Sequence, residues 1–111
     1  METILPAEFE KLDIRVGTVT AARVFPEARK PAYQLEVDFG PLGVKRSSAQ
    51  ITAYYAPDDL VGRQVIGLVN LPPKRIAGFM SECLVLGVYD TGGQVVLLQP
   101  DRAMENGCKI G

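Results

Sequence analysis

The strongest constraint on what this chain can fold into is the run Tyr33-Gln34-Leu35-Glu36-Val37-Asp38-Phe39, in which four apolar residues alternate with three polar ones. Period two places Tyr33, Leu35, Val37 and Phe39 on one face, so the run is a strand with one buried and one wet side. Tyr33 and Phe39 are therefore expected in the core. Five further runs, most of them rich in Val, Ile or Leu, read as strands: Ile14 to Val24, Val44 to Ile51, Arg63 to Val69, Cys83 to Tyr89 and Gln94 to Gln99. Pro26 to Pro31, Gly40 to Gly43, Pro57 to Asp59, Leu71 to Pro73 and Asp90 to Gly93 separate them. Each separator carries Gly or Pro, which supply the positive or fixed φ of a chain reversal.

Ile4 to Leu12 places a Pro and two Glu where a short helix starts, with Leu5, Phe9 and Leu12 on one side. Thr52 to Leu60 is the other short helical candidate, after the third strand. Five or six strands with one helical connector after strand three indicate an all-β chain closed as a small barrel, and a five-stranded OB-fold fits that order. With 111 residues, no repeat and no linker-like run, residues 1–111 are expected to form a single domain.

Composition excludes several chemistries. There is no histidine, which removes Ser-His-Asp and Cys-His nucleophile systems and zinc sites built on imidazole. Cys83 and Cys108 lie 25 apart with no CxxC, so two buried free thiols are expected, with one disulfide as the alternative. Asp58-Asp59 reads as a helix cap or turn, and Glu36 with Asp38 as the wet side of a strand, not as a converging carboxylate pair. Gly40-Pro41-Leu42-Gly43 lacks the Lys-Ser/Thr ending of a phosphate loop. No catalysis, metal or cofactor is expected. No basic segment leads into an apolar run at the start, and no 18-residue apolar stretch occurs, so a cytoplasmic protein without a membrane partner is the simplest expectation.

The net charge of -1 conceals segregation along the chain. Residues 1–10 hold Glu2, Glu8 and Glu10 and no base, whereas residues 60–80 hold Arg63, Lys74 and Arg75 and no acid. Residues 15–30 add Arg15, Arg23, Arg29 and Lys30 against Glu27 alone. If folding brings these stretches to one side, a local basic face exists on an acidic protein. In Asn70-Leu71-Pro72-Pro73-Lys74-Arg75-Ile76-Ala77-Gly78-Phe79-Met80-Ser81, two prolines stiffen the chain before two cations and Gly78 permits a turn. Asn70 and Ser81 flank that loop, where an amide and a hydroxyl can meet a base edge or pin the loop backbone.

At these residues the chain resembles the tRNA-binding OB-fold domain family, found free-standing or appended to methionyl-tRNA synthetases. The resemblance runs over residues 9–111 and rests on Leu12-Asp13-Ile14-Arg15-Val16-Gly17-Thr18-Val19, on Asn70 through Leu84, and on Val95-Val96-Leu97-Leu98-Gln99-Pro100-Asp101 followed by Asn106-Gly107. Within the family, Phe25 to Arg29, Ser47 to Thr52 and Pro72 to Phe79 are most similar to small bacterial secretion-related chaperones. The resemblance implies a homodimeric barrel with tRNA as partner. For the chaperone-like members it also implies binding of peptides or unfolded preproteins and a link to secretion machinery. The tRNA site it implies matches Asn70, Lys74, Arg75, Ser81 and Leu84. The chain departs from the common Ser-x-Gly-Met at Ser81-Glu82-Cys83-Leu84, and Glu82 sets a negative charge beside the phosphate path.

OB-folds bind single strands by joining a cationic groove to stacking side chains. Phe79, beside Gly78, is the stacking candidate, and Lys45, Arg46 and Arg63 are further groove-facing cations. Four contacts from Lys74, Arg75, Arg63 and one of Lys45 or Arg46 predict roughly a hundredfold loss of affinity from 50 to 200 mM salt. The competing reading is a peptide binder in which Ile4, Leu5 and Phe9 line a dimer-interface groove, with residues 1–12 and an unpaired tail 100–111 acting as dimerising extensions.

Overall fold

The computed structural model covers residues 1–111. After helix α1 (Pro6–Glu10), strands β1 (Ile14–Val24), β2 (Tyr33–Asp38) and β3 (Val44–Ala49) form an antiparallel meander. Helix α2 (Pro57–Leu60) follows, then β4 (Gln64–Leu68), the hairpin β5 (Lys74–Ile76) and β6 (Phe79–Ser81), β7 (Leu84–Val85), and the ribbon β8 (Gly87–Tyr89) and β9 (Val95–Leu97). The main sheet runs β3-β2-β1-β4-β7, and β3 and β7 then approach each other. The result is the expected five-stranded, nearly closed OB-type barrel with two short helices.

β1 makes the curvature possible. Ile14 to Thr18 pairs with β4 and Thr18 to Val24 with β2, and the register slips between Val19 and Ala21. Such a bulge bends a strand and increases its twist, so one strand serves two neighbours in different directions. The β2 alternation behaves as expected: Tyr33, Leu35, Val37 and Phe39 are buried, and the last three are wholly sealed from solvent. Phe39 lies across two glycines on adjacent strands. A Cβ on Gly17 would stand 2.8 Å from its ring and one on Gly67 2.7 Å, so both positions must lack a side chain for the ring to fit.

Four features differ from the sequence expectation. The helix after strand three shrinks to Pro57–Leu60, where Leu60 is fully buried and the Asp59 carboxylate accepts the Ala56 N–H at 3.2 Å. The single strand expected over Cys83 to Tyr89 divides after Val85. Leu86 still donates its N–H to Ile66 O at 2.8 Å, and from Gly87 the chain pairs with β9 instead. The stiffened loop after Asn70 contains a hairpin. Finally, the C-terminal tail is not unpaired: Gly107 N–H donates to Val16 O (2.8 Å), Val16 N–H to Cys108 O (2.9 Å) and Ile110 N–H to Ile14 O (2.8 Å). Asn106 anchors it, accepting from the Thr18 hydroxyl at 2.7 Å.

Both cysteines are free, Cys83 buried and Cys108 only half-buried. Burial pushes the Cys83 thiol up to about 11. No helix is long and apolar enough to cross a membrane.

Candidate nucleic-acid interface

The β5–β6 hairpin is built from very few residues. Lys74 faces Ser81, Arg75 faces Met80 and Ile76 faces Phe79, leaving Ala77 and Gly78 as a two-residue turn. Their φ values are 46° and 82°, positive at both central positions as a primed hairpin turn requires. Alternation then fixes the faces. Ile76 and Phe79 point toward the body of the protein, where Phe79 meets Phe25 edge-on with centroids 5.4 Å apart, and Ala28 and Ala32 complete the cluster.

This small cluster has a large electrostatic consequence. It docks the hairpin, which connects β4 to β7, onto the loop over residues 25–32, which connects β1 to β2. These are the two loops that flank the ligand face of an OB-fold. Arg29 and Lys30 on one loop and Lys74 and Arg75 on the other are exposed, and none of the four takes part in an ion pair. Arg23 and Arg46 border the same face, held by Glu36 at 3.3 Å and Glu82 at 3.7 Å. Two cation-bearing segments that are separate in the sequence are thus packed together, with Glu27 as the one acid between residues 25 and 32. Arg29 and Lys30 were visible only as part of a basic stretch, because the contact that joins their loop to the hairpin links segments about 45 residues apart.

The remaining sequence candidates are placed differently. Phe79 is 8% exposed, with the Arg46 guanidinium over its ring at 5.2 Å, so it cannot offer a free face to a base and its role is to seat the hairpin. Gly78 supplies the turn. The Asn70 amide is directed at the backbone, accepting from Asp13 N–H at 2.9 Å and donating to Lys11 O at 2.7 Å. It ties the segment after α1 to the end of β4. The Ser81 hydroxyl accepts from Ser48 N–H at 3.1 Å and so joins the hairpin to β3. Lys45 alternates away from Arg46 along β3, onto the side of buried Ser47 and Ala49. Arg63 stands at the start of β4, before the strand whose far end leads to the hairpin, with its guanidinium 5.2 Å over the Tyr55 ring. Asp13 is held below the usual carboxylate range by the Arg15 guanidinium that it pairs with at 2.5 Å.

Leu84 is exposed on β7, at the lip of a groove of about 710 Å³. The groove follows the seam between β3 and β7 and is lined by Ser48, Gln50, Ile51, Leu84, Val85 and Tyr89 among others, with no Lys, Arg, Asp or Glu. Beyond Glu82 N–H to Arg46 O at 2.8 Å, no main-chain bond crosses that seam. Ile4, Leu5 and Phe9 do not line this groove; they lie on or beside α1, which buries none of its residues.

The family model described as "Putative tRNA binding domain" matches residues 14–109. The chain belongs to the tRNA-binding domain family. The crystal structure of chaperone CsaA from Bacillus anthracis is 55% identical, with a TM-score of 0.94 over 99% of this chain and 100% of that one. The CsaA chaperone protein from Picrophilus torridus is 50% identical, with a TM-score of 0.92 over 98% of this chain and all of that one. The methionine–tRNA ligase of Methanocaldococcus jannaschii is 38% identical over 110 residues, which are 99% of this chain and 17% of the ligase. The chain therefore spans about a sixth of the length of that ligase. The matched family is described as a binding domain, and the match takes in 17% of the ligase.

Proposed function

We propose that this chain is a non-catalytic, homodimeric tRNA-binding protein of the CsaA type, acting in the cytoplasm without a cofactor. One observation carries the RNA site: the Phe25–Phe79 contact docks the loop that carries Arg29 and Lys30 onto the hairpin that carries Lys74 and Arg75. A bound phosphate backbone spans both loops, while Gly78 and Phe79 hold the hairpin in shape. Asn70 and Ser81 act by positioning this site and Leu84 borders it; Arg46 lies at its edge, and Lys45 and Arg63 fall outside it. Filter binding of the purified protein to tRNA tests the reading. Salt-sensitive binding that drops at least fivefold in Lys74→Ala/Arg75→Ala supports it, and binding within twofold of wild type refutes it.

Dimerisation is supported by the apolar side of the N-terminal segment, where Ile4, Leu5 and Phe9 are 55%, 67% and 40% exposed. A second copy is the commonest solution for such a surface. Residues 1–12 and 100–111 are the dimerising extensions, the second of them docked on β4 and β1 from Met104 onward. Light scattering of a chain lacking residues 1–9 should report a monomer, and a persistent dimer refutes this assignment.

A second reading, binding of peptides or unfolded preproteins ahead of secretion, is favoured by the uncharged groove along the open seam. A wall of apolar side chains and amides without charge suits an extended polypeptide better than a polyanion. Tyr89→Asp should abolish suppression of client aggregation while leaving tRNA affinity unchanged; retained suppression removes this reading.

A further inference from the structure

We propose that Glu82 is a selectivity residue of the RNA site, one that withholds the Arg46 charge from generic polyanions. The proposal rests on the tRNA-binding reading above and deepens it.

Arg46 is the engaged cation of this face that lies against the hairpin. Its guanidinium lies over Phe79 at 5.2 Å, and its Nε stands 3.7 Å from Glu82 Oε1. That separation makes an ion pair and not a hydrogen bond, so the guanidinium N–H groups remain available to a phosphate. The carboxylate, in contrast, is not free to leave. Its Oε1 accepts the Arg46 backbone N–H at 2.9 Å, and the Glu82 N–H donates to Arg46 O at 2.8 Å. Two backbone-anchored bonds thus hold a negative charge next to the guanidinium. A phosphate docking there meets a fixed carboxylate at short range, and the charge that would attract it is cancelled.

The consequence differs between ligands. A flexible single strand gains affinity chiefly by counting cations along a path, so the loss of one weakens it directly. A folded RNA that fits the hairpin and the loop over residues 25–32 draws on shape and on Arg29, Lys30, Lys74 and Arg75, none of which Glu82 neutralises. Discrimination is achieved by weakening the wrong partner more than the right one.

The test uses the full chain with Glu82→Gln, which keeps an oxygen acceptor for the Arg46 N–H and removes the charge. Unfractionated tRNA and poly(U) of matched length are the probes, at 50 and 200 mM salt. Poly(U) should bind about three- to tenfold more tightly, with a salt slope steeper by about 0.7, while tRNA tightens by no more than about twofold. Poly(U) affinity within twofold of wild type, or a tRNA gain equal to that of poly(U), overturns the proposal. A double-mutant cycle with Arg46→Gln identifies the route. Arg46→Gln alone should weaken poly(U) less than twofold, and in the Glu82→Gln background it should erase the whole gain. A gain that survives without Arg46 overturns the proposal even if every variant is well folded. Failure of the site reading itself registers separately, as unchanged tRNA binding in Lys74→Ala/Arg75→Ala.

Discussion

Salt dependence measures how many cations touch RNA, and the structure changes which cations those are. The sequence alone points to Lys74, Arg75, Arg63 and one of Lys45 or Arg46. In the fold, the unpaired cations on the two docked loops are Arg29, Lys30, Lys74 and Arg75. Four phosphate contacts give a slope of about -2.8 with the single-strand coefficient, or about -3.6 with the duplex one. Raising salt from 50 to 200 mM should then weaken tRNA binding by about 50- to 150-fold. Lys74→Ala/Arg75→Ala leaves two contacts and should reduce that loss to about tenfold. Arg29→Ala/Lys30→Ala should do the same, although no sequence motif singles that pair out. Arg63→Ala is the control: its guanidinium is committed to the Tyr55 ring, so the slope should stay at the wild-type value. The assay is filter binding at four or more salt concentrations, comparing slopes rather than single affinities. An Arg63→Ala slope as shallow as that of Lys74→Ala/Arg75→Ala, or no change for Arg29→Ala/Lys30→Ala, would refute the two-loop geometry.

Other substitutions probe how the site is held. Asn70→Ala removes two hydrogen bonds to the Lys11 and Asp13 backbone, so Asp13 amide exchange should accelerate and stability fall by about 1–2 kcal/mol, with tRNA affinity within twofold. Loss of affinity without faster exchange would make Asn70 an RNA contact instead. Ala77 has φ of 46°, a region costly for residues with a Cβ, and Asn tolerates it best in this turn. Ala77→Asn should therefore stabilise the protein by about 0.5–1 kcal/mol, seen as a rise of a few degrees in the thermal midpoint. Cys83 titrates near 11 in the fold because burial disfavours its thiolate. The unfolded chain loses that proton first, near pH 8.5, so stability should fall between about pH 8.5 and 11, by about 1.4 kcal/mol for each pH unit climbed. Alkylation at pH 8 should accordingly label Cys108 and spare Cys83 until the protein is unfolded.

The barrel was legible because alternation and turn chemistry are local signals. The β2 run identifies its own inward side, and every separator carries its own Gly or Pro. The site was legible only in part because its geometry is non-local. Ile76-Ala77-Gly78-Phe79 holds the signature of a two-residue hairpin, but arms of three residues are too short to show alternation beside Pro72-Pro73. Once the hairpin is recognised, Phe79 must share a side with Ile76, and a buried ring follows. Pairing of Cys108 with Val16 spans 92 residues and leaves no trace that composition or spacing can reveal. The fixed charge of Glu82 was visible, but its partner Arg46 became known only when β3 met the end of the hairpin.

That meeting makes the hairpin a structural element as well as a binding one. Between β3 and β7 the barrel is closed chiefly by side chains: the Ser47 hydroxyl donates to Cys83 O at 3.0 Å, Ser48 N–H donates to Ser81 Oγ at 3.1 Å, and Arg46 N–H donates to Glu82 Oε1 at 2.9 Å. Each such bond contributes about 1 kcal/mol net, so the seam should open at lower cost than the continuous ladders of β1 with β2 and β4. All three acceptors lie on the chain from Ser81 to Cys83, at the end of β6 and just after it. An RNA held between the hairpin and the loop over residues 25–32 cannot release the hairpin without first losing half of its cations. Binding should therefore oppose seam opening, by up to about 2.7 kcal/mol when free ligand is at 100 times Kd. Hydrogen exchange reads this directly. With tRNA at that excess, the Arg46 and Ser48 amides should exchange up to about a hundredfold more slowly than in the free protein. Unchanged exchange at both, with tRNA demonstrably bound, would mean that the RNA rests on a face that does not include the hairpin.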